Sequence, residues 1–120
     1  MEPEVLRAAN ATEFGTPERC FILEVANDER DASLSISRAR VPVGVTTEWH
    51  HLIATDERYV MVEGEGLVEV TGMDPARVGP GDVVRIPASR RQRITNVGRA
   101  DLIFFCICSP RFTPECYVAD

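Results

Sequence analysis

The chain has 120 residues, 44% of them hydrophobic, and a net charge of −6 from 13 basic and 19 acidic side chains. That length fits one domain with a real core, and the apolar content excludes intrinsic disorder. The longest unbroken apolar run, Leu102 to Cys108, is far short of the ~20 residues a membrane-spanning helix needs. The acidic balance argues against nucleic acid, which requires a basic face. All the basic residues are arginine, so Schiff-base, pyridoxal phosphate and P-loop lysine chemistry are excluded.

The first residues, Met-Glu-Pro-Glu-Val-Leu-Arg, are neither basic nor apolar, so no signal peptide and a cytoplasmic setting are expected. Residues 1–18 are polar and mixed and read as an irregular arm. Cys20 to Val25 reads as a strand, ended by the polar cluster Asn27-Asp28-Glu29-Arg30-Asp31. Ser33 to Val41 alternates polar and apolar residues, as a half-buried strand does. Further strands are expected at Thr46–Ala54, Arg58–Val62, Leu67–Thr71, Val83–Ile86, Gln92–Asn96 and Asp101–Cys108. Gly and Pro punctuate them, and no segment sustains a helical period. Short strands at about ten-residue spacing predict an all-β sandwich or barrel, with a jelly roll fitting the count. The expected division is an arm at 1–18, a barrel at 19–110 and a proline-rich tail at 111–120.

The four cysteines, Cys20, Cys106, Cys108 and Cys116, are poorly spaced for a disulfide scaffold and form no CxxC pair. Cys106 and Cys108 share one face of the last strand with Leu102 and Phe104, while Ile103, Phe105 and Ile107 share the other. Both faces are apolar, so this strand is expected to be buried on both sides, one against a partner or covering segment.

Two stretches carry the chemistry. In the first, Gly44, His50, Glu57 and Gly64 are regularly spaced; in the second, Gly81, Pro87, Gln92 and Asn96 are. This pair of motifs resembles the cupin superfamily, whose patterns read G-x5-H-x-H-x3,4-E-x6-G and G-x5-P-x-G-x2-H-x3-N. The resemblance implies a single-domain jelly-roll barrel, commonly dimeric. In its metal-binding members the site is three His and one Glu. Here Leu52 stands at the second His, Ser89 at the Gly and Gln92 at the third His, so the motif is degenerate.

Strand alternation places His50 and Leu52 on one face, and Glu57, Tyr59 and Met61 on another. An imidazole, a carboxylate and a carboxamide oxygen in a barrel suit Fe, Mn, Ni or Zn, so His50, Glu57 and Gln92 are the expected ligands of a divalent metal. Leu52, Tyr59, Met61, Phe104 and Cys106 are the expected pocket lining. A thiolate at Cys106 would favour a softer ion. His51 faces outward in a regular strand and reaches the site only through a β-bulge. Arg91 and Arg93 face solvent, whereas Arg85 or Arg90 at the barrel mouth would grip a carboxylate. Asn96 is expected to end its strand in a turn with Gly98. Trp49, Phe112 and Tyr117 read as packing or interface residues.

Three functions are compatible with these residues. The first is a metal-dependent dioxygenase or isomerase acting on a small, acidic molecule, since fold does not select the chemistry. The second is a metal-free small-molecule binding or sensor module, because Leu52 and Gln92 turn part of the site into an ordinary pocket. The third is a structural barrel that forms a homodimer, with the tail lying across a neighbour.

Overall fold

The computed structural model describes residues 1–120. Eleven strands form, joined by turns and three single-turn 3-10 helices. They are β1 (Phe14–Gly15), β2 (Phe21–Ala26), β3 (Ser35–Val41), β4 (His50–Leu52), β5 (Asp56–Glu63) and β6 (Gly66–Val70). The remainder are β7 (Ala76–Val78), β8 (Val83–Ile86), β9 (Gln92–Asn96), β10 (Leu102–Ser109) and β11 (Tyr117–Ala119). No helix is long and apolar enough to cross a membrane.

The strands make two antiparallel sheets, of order β1-β2-β3-β10-β5-β8 and β11-β4-β9-β6-β7. This is the all-β jelly roll that the strand spacing predicts. Alternation along each strand supplies the core between the sheets. Ala39, Val41, Tyr59, Met61, Leu102 and Phe104 come from one sheet and meet Val68, Val70 and Ile94 from the other. The intervening positions face out and are mixed, with Arg38, Arg40 and Arg85 on β3 and β8 but Ile103, Phe105 and Ile107 on β10.

The arm and the tail are joined to this framework more closely than the boundaries at 18/19 and 110/111 imply. Phe14 and Gly15 pair with Ile22 and Phe21. Tyr117, Val118 and Ala119 pair with Leu52, His51 and His50, so the tail forms an edge strand beside β4. The expected strand at Thr46–Ala54 shrinks to His50–Leu52. Thr47 accounts for this: its hydroxyl oxygen accepts a hydrogen bond from the Ile94 N–H at 3.0 Å, so a side chain replaces a rung of the ladder. Strand β7 lies where the sequence predicts no element, because three residues after Pro75 are too few for a period.

The motif residues outside the site are largely architectural. Gly64 takes φ +85°, and a Cβ there would fall 2.7 Å from the Asp101 carbonyl oxygen, so only glycine fits. Ser89, where the family pattern has glycine, also takes a positive φ of 68°. Its N–H donates to the Leu52 carbonyl at 2.8 Å, tying the second motif to the end of β4.

Candidate functional site

A cavity of about 490 Å³ opens between the sheets. Antiparallel pairing assembles one wall: Glu57 lies opposite Cys108 and Tyr59 opposite Cys106 on β5 and β10. Ser37 lies opposite Cys106 on β3. The facing wall carries His50 and Leu52 from β4 and Ile94 from β9. Phe112, Pro114, Tyr117 and Ala119 of the tail close one side, and Phe14, Thr16, Pro17, Glu18 and Cys20 close another.

His50 is buried and its ring stacks on Tyr117, with centroids 5.1 Å apart. Its Nδ1 lies 3.0 Å from the Glu48 carbonyl oxygen and 3.2 Å from Glu18 Oε2. Both are acceptors, so Nδ1 carries the proton and donates. Nε2 makes no hydrogen bond within the protein, yet Arg38 Nε is the one buried side-chain nitrogen or oxygen that lacks a partner. Nε2 is therefore accessible, and in the neutral ring it carries the lone pair.

Glu57 is buried within β5, not in a solvated turn. Burial pushes its carboxyl above the usual carboxylate range, while His50 and the amide of Gln92 pull the other way. Gln92 Nε2 donates to Glu57 Oε1 at 2.9 Å, and the Cys108 thiol approaches Glu57 Oε2 at 3.7 Å.

Gln92 lies opposite His50 on β9, as expected of neighbouring site residues, but it stands behind the cavity wall. Its carbonyl oxygen accepts a hydrogen bond from the Tyr59 hydroxyl. With the amide on Glu57 and the oxygen on Tyr59, Gln92 has no donor atom facing a metal in the cavity. It is a buried brace that holds Glu57 and Tyr59 in place.

The donor set does not fit the metal expected of His50, Glu57 and Gln92. Gln92 drops out, which leaves His50 Nε2 and Glu57 Oε2, and no group of three or more His, Cys, Asp or Glu side chains is placed to hold an ion. Cys106 lines the cavity as expected. Burial, and next the neighbouring Glu57 carboxyl, push its thiol well up, so it is a protonated wall group and not the thiolate envisaged. Cys20 is pushed up to about 12 by burial. All four cysteines are free.

The other expected site residues divide cleanly. Leu52, Tyr59, Phe104 and Cys106 line the cavity; Met61 shares their face but is packed in the core beyond it. His51 points away, and no bulge turns it: its Nδ1 meets the Asp120 carboxylate at 2.9 Å. Arg85 lies outward because alternation in β8 turns Val84 and Ile86 inward. Arg90 folds back to donate to the Thr71 carbonyl at 2.9 Å. Neither arginine lines the cavity. Arg91 and Arg93 do lie outside, with Trp49 beneath both guanidinium groups.

Sequence reasoning missed Glu18, Cys20, Phe112 and Tyr117. Glu18, Phe112 and Tyr117 lie in segments without strand periodicity, and Cys20 opens an expected strand with nothing to mark it as cavity lining. Cys108 was within reach, since it shares the face of Cys106.

The comparisons with known proteins agree with this architecture. The model of the cupin domain matches residues 37–108. An uncharacterized protein of Methanocaldococcus jannaschii, MJ1618, is 32% identical over 81 residues, which are 68% of this chain and 64% of that protein; the chain thus spans under two thirds of its relative's length. Among solved structures, Pac13, a nucleoside dehydratase whose Streptomyces variants have also been solved with uridine, superposes with a TM-score of 0.82 over 99% of this chain and 92% of that one, at 13% identity. A predicted oxalate decarboxylase from Thermotoga maritima gives a TM-score of 0.79 over 89% of this chain and 99% of that one, at 20% identity. KdgF from a Halomonas species gives 0.77 over 91% and 96%, at 18% identity. Those structural likenesses establish the fold alone. With the family model covering more than half of its length, the chain belongs to the cupin domain family.

Proposed function

We propose that this cupin binds a small organic molecule in the cavity between its sheets and acts on it by proton transfer, without a metal. The observation that carries this reading is the fixed tautomer of His50. The Glu48 carbonyl and the Glu18 carboxylate hold the Nδ1 proton, leaving Nε2 open to the cavity as a base. Glu57, raised by burial, supplies the complementary acid, and Gln92 orients it. A ring nitrogen whose lone pair faces the cavity and a carboxyl raised by burial make an acid–base pair.

In such a reaction Nε2 of His50 accepts a proton from the substrate. Glu57 delivers one to a carbonyl or a departing hydroxyl. Isomerisation and dehydration both belong to this class, and dehydration is the activity named for Pac13. Apolar walls exclude water and strengthen both groups' interactions with the substrate. The four unpaired thiols support a reducing, cytoplasmic setting. The homodimer remains part of this reading, supported by the apolar outer positions Ile103, Phe105 and Ile107 on β10; sedimentation tests it.

A second reading keeps a divalent metal, Fe, Mn, Ni or Zn, at His50 and Glu57, and is favoured by their places in the family motif. Thermal-shift screening of a mixed small-molecule library on EDTA-treated protein separates the two. Hits that raise Tm without metal, and vanish in His50→Gln, are expected. Hits that appear only after one of the four metals is added would favour the second reading.

A further inference from the structure

The charge and hydrogen-bond inventory of the cavity narrows its ligand beyond the function proposed above, on which this inference rests. The chain has 13 arginines and no lysine, yet none of the arginines lines the cavity. Four carboxyl groups do: Glu18, Glu24, Glu48 and Glu57. Arg19 pairs with Glu48 at the rim. Glu24 is met by the Asn27 amide, Glu57 by the Gln92 amide, and Glu18 by the Nδ1–H of His50, none of them a guanidinium.

The hydroxyls lean the same way. The Tyr59 hydroxyl donates to Gln92, that of Tyr117 to Glu18 at 3.4 Å, and that of Thr16 to the Cys20 carbonyl at 2.9 Å. Thr47 donates to the Ile94 carbonyl at 3.4 Å. These four have spent their protons on the protein; the fifth lining hydroxyl, Ser37, makes no hydrogen bond within it. What these four hydroxyls, the carboxylates of Glu18, Glu24 and Glu48 and His50 Nε2 offer a ligand is lone pairs, with the raised Glu57 carboxyl as the exception. The Phe14, Phe104, Phe112, Tyr59 and Tyr117 rings supply an apolar, π-faced body to the site.

A carboxylate or phosphate entering this cavity would meet like charge and no cationic partner, in a site where water is displaced. A protonated amine would meet carboxylates and aromatic faces. We propose that the cavity is selective for an aromatic or alicyclic molecule bearing an amine, and that it rejects the anionic substrates for which the sequence alone provides arginines. Glu24, on the accessible rim and outside the acid–base pair, is a specificity-determining residue for the amine.

A matched series on EDTA-treated full-length protein tests this by calorimetry. Tryptamine, 3-ethylindole and indole-3-propionate share one ring and nearly one shape, and differ in charge. Tryptamine should bind at least roughly tenfold more tightly than indole-3-propionate, with 3-ethylindole between, because a charge-assisted hydrogen bond is gained in one and refused in the other. Glu24→Gln should shrink the amine preference while leaving 3-ethylindole unchanged, and Glu24→Arg should bring the acid level with the amine. Equal affinities, or tighter binding of the acid, would overturn the selectivity and leave the metal-free site standing. Binding of the series only after zinc or manganese is added would overturn that site as well. No binding of any of the three, with or without metal, would also overturn the proposal.

Discussion

Asn96 joins three loops with one side chain. Its amide donates to the carbonyls of Val41 and Ala100, each at 2.8 Å, and its Oδ1 accepts from the Gly98 N–H at 2.9 Å. The residue is 2% exposed, so these bonds have no replacement in water. Asn96→Ala should cost about 3 kcal/mol, roughly 1 kcal/mol per bond, read from urea denaturation. A loss below about 1 kcal/mol would contradict the architectural role. Glu57 carries a pH signature. Above 4.5 the unfolded chain ionises it while the folded protein holds it protonated. Stability should therefore fall as pH rises from that value, until the folded group itself ionises, and Glu57→Gln should flatten that part of the curve. A parallel pH profile in the variant would contradict the assignment. At this scale the sequence was informative where period-2 alternation applies. It placed His50, Leu52, Tyr59, Phe104 and Cys106 on inward faces, and the turn of Asn96 with Gly98. It was silent about partners: nothing in the spacing says that Gln92 spends both ends of its amide on Tyr59 and Glu57.

Among the elements, β11 has the most consequence for the site and the least sequence signal. It is three residues long, follows two prolines, and pairs with β4 so that Tyr117 lies on His50. Its end is fastened by Asp120. That carboxylate meets His51 at 2.9 Å and Arg91 at 3.5 Å, and its N–H donates to the Trp49 carbonyl at 3.0 Å. The hydrogen bond from His51 holds the Asp120 carboxyl below its ordinary 3.8. A carboxyl lowered by folding stabilises above its unfolded value and loses that contribution as pH falls through the folded one. Hydrogen exchange should show the amides of Tyr117–Ala119 losing protection in acid before those of β9. Asp120→Asn should produce the same loss at neutral pH. Unchanged exchange in that variant would mean that the strand is held by its ladder alone. His51 thus serves the wall of the site from outside, which explains a histidine beside His50 that does not enter the cavity.

For the whole molecule, the jelly roll was legible because it rests on many short alternating strands and on glycines at tight turns. Gly64 could not be another residue with the Asp101 carbonyl 2.7 Å from its missing Cβ. The expected three-ligand set of His50, Glu57 and Gln92 does not converge, for a different reason. Ligand spacing reports which face a residue takes, whereas coordination needs free lone pairs converging on a point, and here both ends of the Gln92 amide are spent on Tyr59 and Glu57. The charge distribution was also hidden: a chain with 13 arginines reads as able to grip an acid, yet the fold keeps every one out of the cavity lining. The account as a whole turns on one nitrogen. Histidine-detected 15N NMR on metal-stripped protein reads it directly, since the chain has two histidines and His51→Asn assigns them. The account predicts His50 as the Nδ1–H tautomer, with shifts unmoved by one equivalent of Zn2+. An Nε2–H tautomer, or a His50 signal displaced stoichiometrically by zinc, would contradict it.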